Sequence, residues 1–242
     1  MSEFKLPTET VELPSKGILY PEGSELAKGT IEMSYMTAKH EDILTNQSYI
    51  KNGTVLDKLM KALIVSPINY DELLIGDKNA IMVAARVLGY GKDYTFDYDG
   101  ESHTIDLSQI ENLPLKPEVE SRKVNEFEFT LPHSSNRVTF RFLTHKDEQD
   151  INREIEGLKK INKDTSSELT TRLKYIITSV EGNREKKDIR DFVDNYLLAK
   201  DSRALREYIK ELQPDVDLTF FPSDDGVGVN IPIGVSFFWP DI

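Results

Sequence analysis

Short apolar pieces separated by turn-forming residues open the chain. Across residues 1–34 this pattern is typical of an extended arm whose irregular strands lie on another element. Towards the end of the arm Ile31, Met33 and Tyr35 alternate with polar residues, which predicts a short strand. Extended segments of this kind also add readily to the sheet edge of a neighbouring protein. The turn-forming residues of the arm are Pro14, Gly17, Pro21 and Gly23.

Helical spacing of the apolar residues begins at Thr37. Thr37 is a candidate N-cap, and the acidic side chains of Glu41 and Asp42 in the first turns suit the positive end of the helix dipole. We expect Tyr35 and Met36 to pack inward at this strand-to-helix junction. The two acidic side chains then face solvent or a partner protein.

Two more helices follow in the first half of the chain. Thr54 and Asp57 resemble a capping box, and the helix that they open is expected to end before Pro67. Asp77 is expected to cap the next helix, which Gly89 closes.

Alternating runs around turn residues predict three hairpins. Asp99 and Gly100 stand between two such runs, and both central positions of a tight hairpin turn need positive φ. A second hairpin joins residues 126–131 to residues 137–143. A third, near the C-terminus, turns at residues 225–226.

Amphipathic helices are predicted between the second and third hairpins. Thr144 is expected to cap the first of them, with a stripe that includes Ile151 and Ile155. Thr165 and Glu168 frame the second, which is expected to run as far as Val180. The apolar positions of the third helix, and of its continuation after Ser202, are Ile189, Phe192, Val193, Tyr196, Leu197, Leu205, Tyr208, Ile209 and Leu212.

These elements predict an α+β fold. Residues 1–112 are expected to form an N-terminal extended arm, a small helical unit and a β-hairpin. Residues 113–124 contain two prolines and are the most linker-like segment of the chain. Residues 125–242 are expected to form a hairpin, a mostly helical region and a C-terminal, aromatic β-hairpin.

The composition of the chain is notable mainly for its excess of acidic residues. The 242 residues include 30 Lys and Arg against 42 Asp and Glu, a formal net charge of −12. Such a surface repels phosphate backbones and argues against nucleic-acid binding.

No apolar run approaches the roughly 20 residues of a membrane span. The N-terminus has neither the basic nor the apolar region of a signal peptide, and with no cysteine the chain has no thiolate metal ligand, so an intracellular protein is expected.

His40, Glu41 and Asp42 are the densest group of candidate ligands. A helical zinc site needs two histidines four residues apart, but the positions four residues from His40 hold Met36 and Leu44. We therefore favour helix-start electrostatics, and predict no catalytic, cofactor-binding or metal-binding residue. The alternative is a carboxylate-dependent hydrolase that uses Glu41 and Asp42, which would need a cleft where two carboxylates converge.

Three consecutive aromatic residues lie near the end of the chain. Phe237, Phe238 and Trp239 are too hydrophobic for a solvated terminus, so we expect some of them to dock within the chain and Trp239 to anchor a partner. The residues predicted to contact a partner protein are Tyr35, Met36, Thr37, Glu41, Asp42, Phe237, Phe238 and Trp239.

The order of several motifs resembles one known family, the T4-type phage baseplate hub subunits, also described as hub assembly proteins. The resemblance covers nearly the whole chain, and its most specific part is the string Y-M-T-x-x-x-E-D-I-L-T-N from Tyr35 to Asn46. The other motifs are LPSKGILYPEG, GTVLDKLMKALI, DELLIGDKNAIMVAARVLGYG and IPIGVSFFWP.

The resemblance implies a non-enzymatic protein that helps to build the baseplate hub through contacts with other hub proteins, near the spike and the tube or tape-measure end. It implies a place in the virion and, during assembly, in the host cytoplasm, with no nucleic acid, membrane or small-molecule substrate. A permanent virion component and a transient assembly factor are both compatible with it. Several members of the family carry a Cys-x-x-Cys pair, which suggests a zinc-ribbon-like hairpin, where this chain has FFPSDDGVGV. Because this segment contains no cysteine, the resemblance does not imply a metal site here.

Overall fold

The computed structural model describes residues 6–161, 167–222 and 227–238, and within them the chain has a mixed α+β fold. The helices are α1 (Ala38–Leu44), α2 (Gln47–Lys51), α3 (Val55–Leu63), α4 (Ile75–Tyr90), α5 (Pro117–Glu120), α6 (His145–Ile161), α7 (Glu168–Ile176), α8 (Lys186–Asn195) and α9 (Ala199–Leu212). The strands are β1 (Thr8–Glu12), β2 (Thr30–Ser34), β3 (Asp93–Tyr98), β4 (Glu101–Asp106), β5 (Phe127–Thr130), β6 (Arg137–Phe140), β7 (Ile177–Val180), β8 (Thr219–Phe220) and β9 (Val229–Asn230).

The described strands form small antiparallel sheets. β1 pairs with β2, β3 with β4 and β8 with β9, while β5, β6 and β7 form a three-stranded sheet with β6 in the centre. Two-stranded ribbons are only marginally stable alone, so each of them depends on packing against other parts of the chain. Buried apolar side chains from Leu13 to Phe238 supply that packing as one hydrophobic core.

The N-terminal arm is part of this core. Leu13, Leu19 and Leu26 are all buried, which requires the chain to fold back tightly between β1 and β2. Gly17 and Gly29 make the close approach possible. Both have positive φ, and a side chain on either would press on the backbone of the other segment of the arm, 2.6 Å away at Gly17 and 2.7 Å at Gly29.

Main-chain hydrogen bonds also join the two halves of the chain. The N–H of Ile75 donates to the carbonyl of Leu143 at 3.2 Å, and the N–H of His145 donates to the carbonyl of Leu73 at 2.7 Å. Between these halves, the segment 113–124 contains α5, whose Val119 is fully buried. The division of the chain into domains at this segment stays a prediction.

Helix starts in the first half differ in part from the sequence-based expectations. The prediction for Thr37 is confirmed, because it is the N-cap of α1. Thr54 stands at the N-cap of α3 but makes no side-chain capping bond, so the capping box with Asp57 is wrong. Asp77 is not a cap either, since α4 already begins at Ile75 and the Asp77 carboxylate turns into the core.

Two other helix ends are corrected. α4 closes at Gly91, which has a φ of 84°, and not at Gly89, which lies inside the helix. α7 ends at Ile176, and the next four residues, up to Val180, form β7, the third strand of the sheet with β5 and β6. β-Branched residues suit a strand as well as a helix stripe, and pairing with β6 decides in favour of the strand.

The predicted hairpins at residues 99–100 and between β5 and β6 are confirmed, with φ of 52° at Asp99 and 82° at Gly100. β8 and β9 pair as the third hairpin requires, but its predicted turn at 225–226 lies outside the described residues, as does Thr165. Thr144 caps α6 as predicted, because its Oγ1 accepts the N–H of Asp147 at 3.3 Å.

Candidate functional site

The predicted partner-binding residues 35–42 form a corner at the junction of β2 and α1, which we call the docking corner. The Tyr35 hydroxyl donates to Glu9 Oε1 at 2.9 Å, and this bond raises the pKa of the tyrosine. The N–H of Thr37 donates to His40 Nδ1 at 2.9 Å, while the N–H of His40 donates to the carbonyl of Thr37 at 2.7 Å. The His40 side chain therefore takes part in capping the N-terminus of α1, and the residue is largely buried.

The remaining residues of the docking corner divide between packing and solvent. Met36 packs against α4, where its Sδ would lie 2.2 Å from a Cβ added to Gly89. Glu41 and Asp42 are exposed on α1. Burial, and then the charge of Glu41, raise the pKa of nearby Tyr90. The hydrolase alternative needs two carboxylates that converge in a cleft, and the two exposed side chains do not supply that arrangement.

The predicted C-terminal anchors lie elsewhere. Phe237 and Phe238 are fully buried, so their rings belong to the protein's own core and not to its surface. Phe237 meets Tyr94 of β3 edge to face, with ring centroids 4.7 Å apart. Some of these aromatic residues were expected to dock within the chain, and Phe237 and Phe238 do so. Trp239, the predicted partner anchor, lies outside the described residues.

An open groove of about 510 Å³ lies along β1 and is lined in part by Glu9, the hydrogen-bond partner of Tyr35. Residues 9–12 of β1 form one wall, residues 107–112 form the other, and α4 lies between them. We call it the acidic groove, because Glu9, Glu12 and Glu111 line it and none of its lining residues is basic. The bond from Tyr35 to Glu9 joins the groove to the docking corner.

Among the described residues, the backbone of β1 pairs on one side, with β2. The N–H of Leu13 donates to the carbonyl of Gly29 at 2.8 Å, and the register from β1 to β2 is continuous from there. Because bonded and non-bonded pairs alternate along an antiparallel ladder, the odd-numbered residues of β1 bond to β2. The N–H and C=O groups of Thr10 and Glu12 consequently point to the open side, where the acidic groove lies.

A buried carboxylate holds the arm against α4. Asp77 is fully buried and accepts hydrogen bonds from the Ser15 N–H at 2.9 Å, the Ser15 hydroxyl at 2.7 Å and the Tyr20 hydroxyl at 2.6 Å. Desolvation raises the pKa of Asp77 above its usual range, although these hydrogen bonds oppose the rise. The arrangement positions β1, and through it the wall of the acidic groove.

A second polar cluster lies where α3, α4 and α6 meet, and we call it the junction cluster: Asp57, Tyr70, Lys78 and His145. Lys78 Nζ lies 2.9 Å from Asp57 Oδ1 and 3.1 Å from His145 Nδ1. On the other side of the ring, His145 Nε2 lies 3.3 Å from Asp57 Oδ2 and 2.9 Å from the side-chain nitrogen of Gln149. The cluster has the residue types of a catalytic site, but every polar group in it is used to join the helices.

The pKa of Asp57 follows from this arrangement. Burial pushes it upward, but hydrogen bonds from His145 and Lys78 outweigh burial and hold the pKa below its usual range. Desolvation, together with the Asp57 charge, raises the pKa of Tyr70.

Within residues 6–161, 167–222 and 227–238, no three His, Asp or Glu side chains are grouped so that they could hold a metal ion. No helix of the same residues is long and apolar enough to cross a membrane.

The sequence pattern predicts the strand-to-helix junction at residues 35–42, whose role in partner binding stays a prediction, but it does not predict the acidic groove or the two polar clusters. Ser15 and Asp77 are 62 residues apart, and the walls of the groove are nearly 100 residues apart in sequence. Within β1 the local signal for the groove is weak, because Val11 is the single apolar residue among Thr8–Glu12.

Comparison with known proteins adds no relative to this picture. No protein-family profile, no curated protein and no solved structure matches the chain.

Proposed function

We propose that the chain is a non-enzymatic structural or assembly protein of the baseplate hub of a contractile-tailed phage, acting through protein–protein contacts during tail assembly. In this proposal it acts in the host cytoplasm during assembly and at the tail baseplate of the virion. Its partners are other hub proteins, near the spike and the tube or tape-measure end.

One observation carries the proposal most directly. The string Tyr35–Asn46, the most specific part of the family resemblance, folds into a surface corner that leaves Glu41 and Asp42 exposed, and its Tyr35 donates to Glu9 on the wall of the acidic groove. An exposed acidic corner that continues into a partly apolar groove has the character of a protein-binding surface. The formal net charge of −12 favours partners with basic patches.

The direct test is a pull-down of the tagged full chain from phage-infected cells, followed by identification of the captured proteins. We expect hub proteins of the baseplate to be captured, and capture of none of them would contradict the proposal. Mass spectrometry of purified particles then distinguishes a permanent virion component from a transient assembly factor.

A pair of charge-reversal variants locates the contact. Glu41→Lys with Asp42→Lys reverses the docking corner, and we expect it to weaken capture of hub proteins at least tenfold, through lost complementarity at the interface. Asp97→Lys with Glu101→Lys is the matched control, since both residues are exposed on the β3–β4 hairpin. Equal capture by the two double variants would remove the docking corner from the interface.

A further inference from the structure

We infer that the acidic groove binds an extended segment of a partner protein, in which apolar and basic residues alternate, and that this segment adds as a new strand to the open edge of β1. The inference rests on the proposed function only in that the occupant is a protein. It specifies how the occupant is held and which sequence pattern it carries.

The backbone of β1 determines the conformation of the occupant. Thr10 and Glu12 present N–H and C=O groups on the open side of the strand, two residues apart. Groups with this spacing are matched by another extended chain, which exchanges hydrogen bonds with alternate residues. Natural proteins usually cover such an edge or block it with proline or lysine, and β1 has neither between residues 8 and 12.

The floor of the groove selects apolar side chains on one face of the occupant. Val87 and Leu88 of α4 and Ile110 of the opposite wall line it and are only partly buried. An added strand points every second side chain towards this floor, so those positions favour residues such as Val or Ile.

Charge selects basic side chains for the other face of the occupant. Glu12 and Glu111 stand on opposite walls of the groove, and neither forms an ion pair with a described residue. A second copy of the chain is a poor occupant, because pairing β1 with β1 would bring the glutamates of two Thr-Glu-Thr-Val-Glu strands together. The occupant is therefore a basic strand from a different protein.

The variant that tests strand addition is Thr10→Pro. Proline removes the outward N–H of Thr10 and no hydrogen bond between β1 and β2, since only odd-numbered residues of β1 make those bonds. Its matched control is Thr10→Val, which keeps the N–H. Both variants lose the side-chain bond from Thr10 Oγ1 to Glu32 Oε1, which is 2.5 Å long in the structure.

The probe is a fluorescein-labelled heptapeptide in which Lys and Val alternate, titrated with the full chain and followed by fluorescence anisotropy. We expect saturable binding by the unchanged protein and by Thr10→Val, and binding about tenfold weaker to Thr10→Pro, because one hydrogen bond and the fit of the added strand are lost. A peptide with Glu in place of Lys is expected not to bind. Circular dichroism of each variant confirms that it is folded.

Charge recognition is tested separately with Glu12→Lys combined with Glu111→Lys. We expect at least a tenfold loss of affinity for the Lys–Val peptide, against little change for the Asp97→Lys and Glu101→Lys control. Equal affinities of Thr10→Pro and Thr10→Val would overturn strand addition, and so would a failure of the Lys–Val peptide to bind at millimolar concentration. A concentration-dependent dimer that Thr10→Pro abolishes, seen by sedimentation, would instead identify a second copy as the occupant.

These outcomes are separable from those of the proposed function. Peptide binding by a chain that captures no hub protein would leave the strand-binding groove standing and contradict the baseplate assignment. Capture of hub proteins that Thr10→Pro leaves unchanged would support the baseplate assignment and place the contact outside the groove.

Discussion

The Tyr20 hydroxyl donates to Asp77 Oδ2 at 2.6 Å and accepts the N–H of Leu74 at 2.9 Å. One side chain of the arm therefore bonds both to the buried carboxylate and to the N-cap residue of α4. Burial, followed by the charge of Asp77, raises the pKa of Tyr20, so the hydroxyl stays a donor at physiological pH.

Replacing Tyr20 by Phe tests this contact. We expect Tyr20→Phe to lower the free energy of unfolding by about 1–3 kcal/mol, because the Leu74 N–H is left buried without its partner and Asp77 Oδ2 keeps only the Ser15 hydroxyl. Urea denaturation provides the measurement. Tyr98→Phe is the control, since Tyr98 is 40% exposed, and an equal loss in the two variants would contradict the role assigned to Tyr20.

The junction cluster predicts a specific acid sensitivity. Because the folded-state pKa of Asp57 lies below its unfolded value, ionised Asp57 adds stability above pH of about 4, and this contribution is lost as the pH falls further. We expect the urea midpoint to drop less between pH 6 and pH 3 in Asp57→Asn than in the unchanged protein. Asp97→Asn, at an exposed position of β3, is expected to keep the full drop. The same drop in Asp57→Asn would argue against the predicted linkage.

Gly76 and Gly157 both lie within helices, but we expect their replacement by alanine to have opposite effects on stability. A Cβ at Gly76 would lie 1.8 Å from the carbonyl oxygen of Pro214, whereas a Cβ at Gly157 meets nothing within 4 Å. We expect Gly76→Ala to destabilise the protein by about 2 kcal/mol or more through overpacking. Gly157→Ala is expected to stabilise it by about 0.5–1 kcal/mol. Thermal unfolding compares them, and a neutral Gly76→Ala would show that α4 and Pro214 are not in contact.

The burial of Phe238 predicts a loss of stability on truncation. We expect Phe238→Ala to cost about 3–5 kcal/mol in unfolding free energy, because the ring is fully buried. Phe221→Ala is the control, with a ring that is 59% exposed and an expected cost under about 1 kcal/mol. If Phe238→Ala weakened capture of partners without loss of stability, the ring would have to act at a surface.

Local signals were sufficient for the hairpins and for some helix starts. The turn at Asp99 and Gly100 depends only on residues that tolerate positive φ, and the cap of α6 depends on the contact of Thr144 with Asp147 three residues later. Such features are determined within a few residues of sequence, so the pattern alone predicts them.

The features that the sequence did not predict depend on contacts between residues far apart in the chain. Asp77 has the position of a helix-start residue, but three donors on the distant arm, including Tyr20, take its carboxylate into the core. Val180 fits the apolar stripe of a helix, but pairing with β6 places it in the strand β7. The candidate site shows the same limit. The corner at Tyr35 lies within one motif and was predicted, whereas the groove needs β1, α4 and residues 107–112 to come together.

The main-chain bonds of Ile75 and His145 have a consequence for how the protein opens. Both amide protons are held by carbonyls from the other half of the chain, so neither half can open without releasing them. We expect these amides to exchange with deuterium only through global unfolding, at the slowest rates in the molecule. A single backbone cut within residues 113–124 is then expected to leave two pieces that stay associated under native conditions.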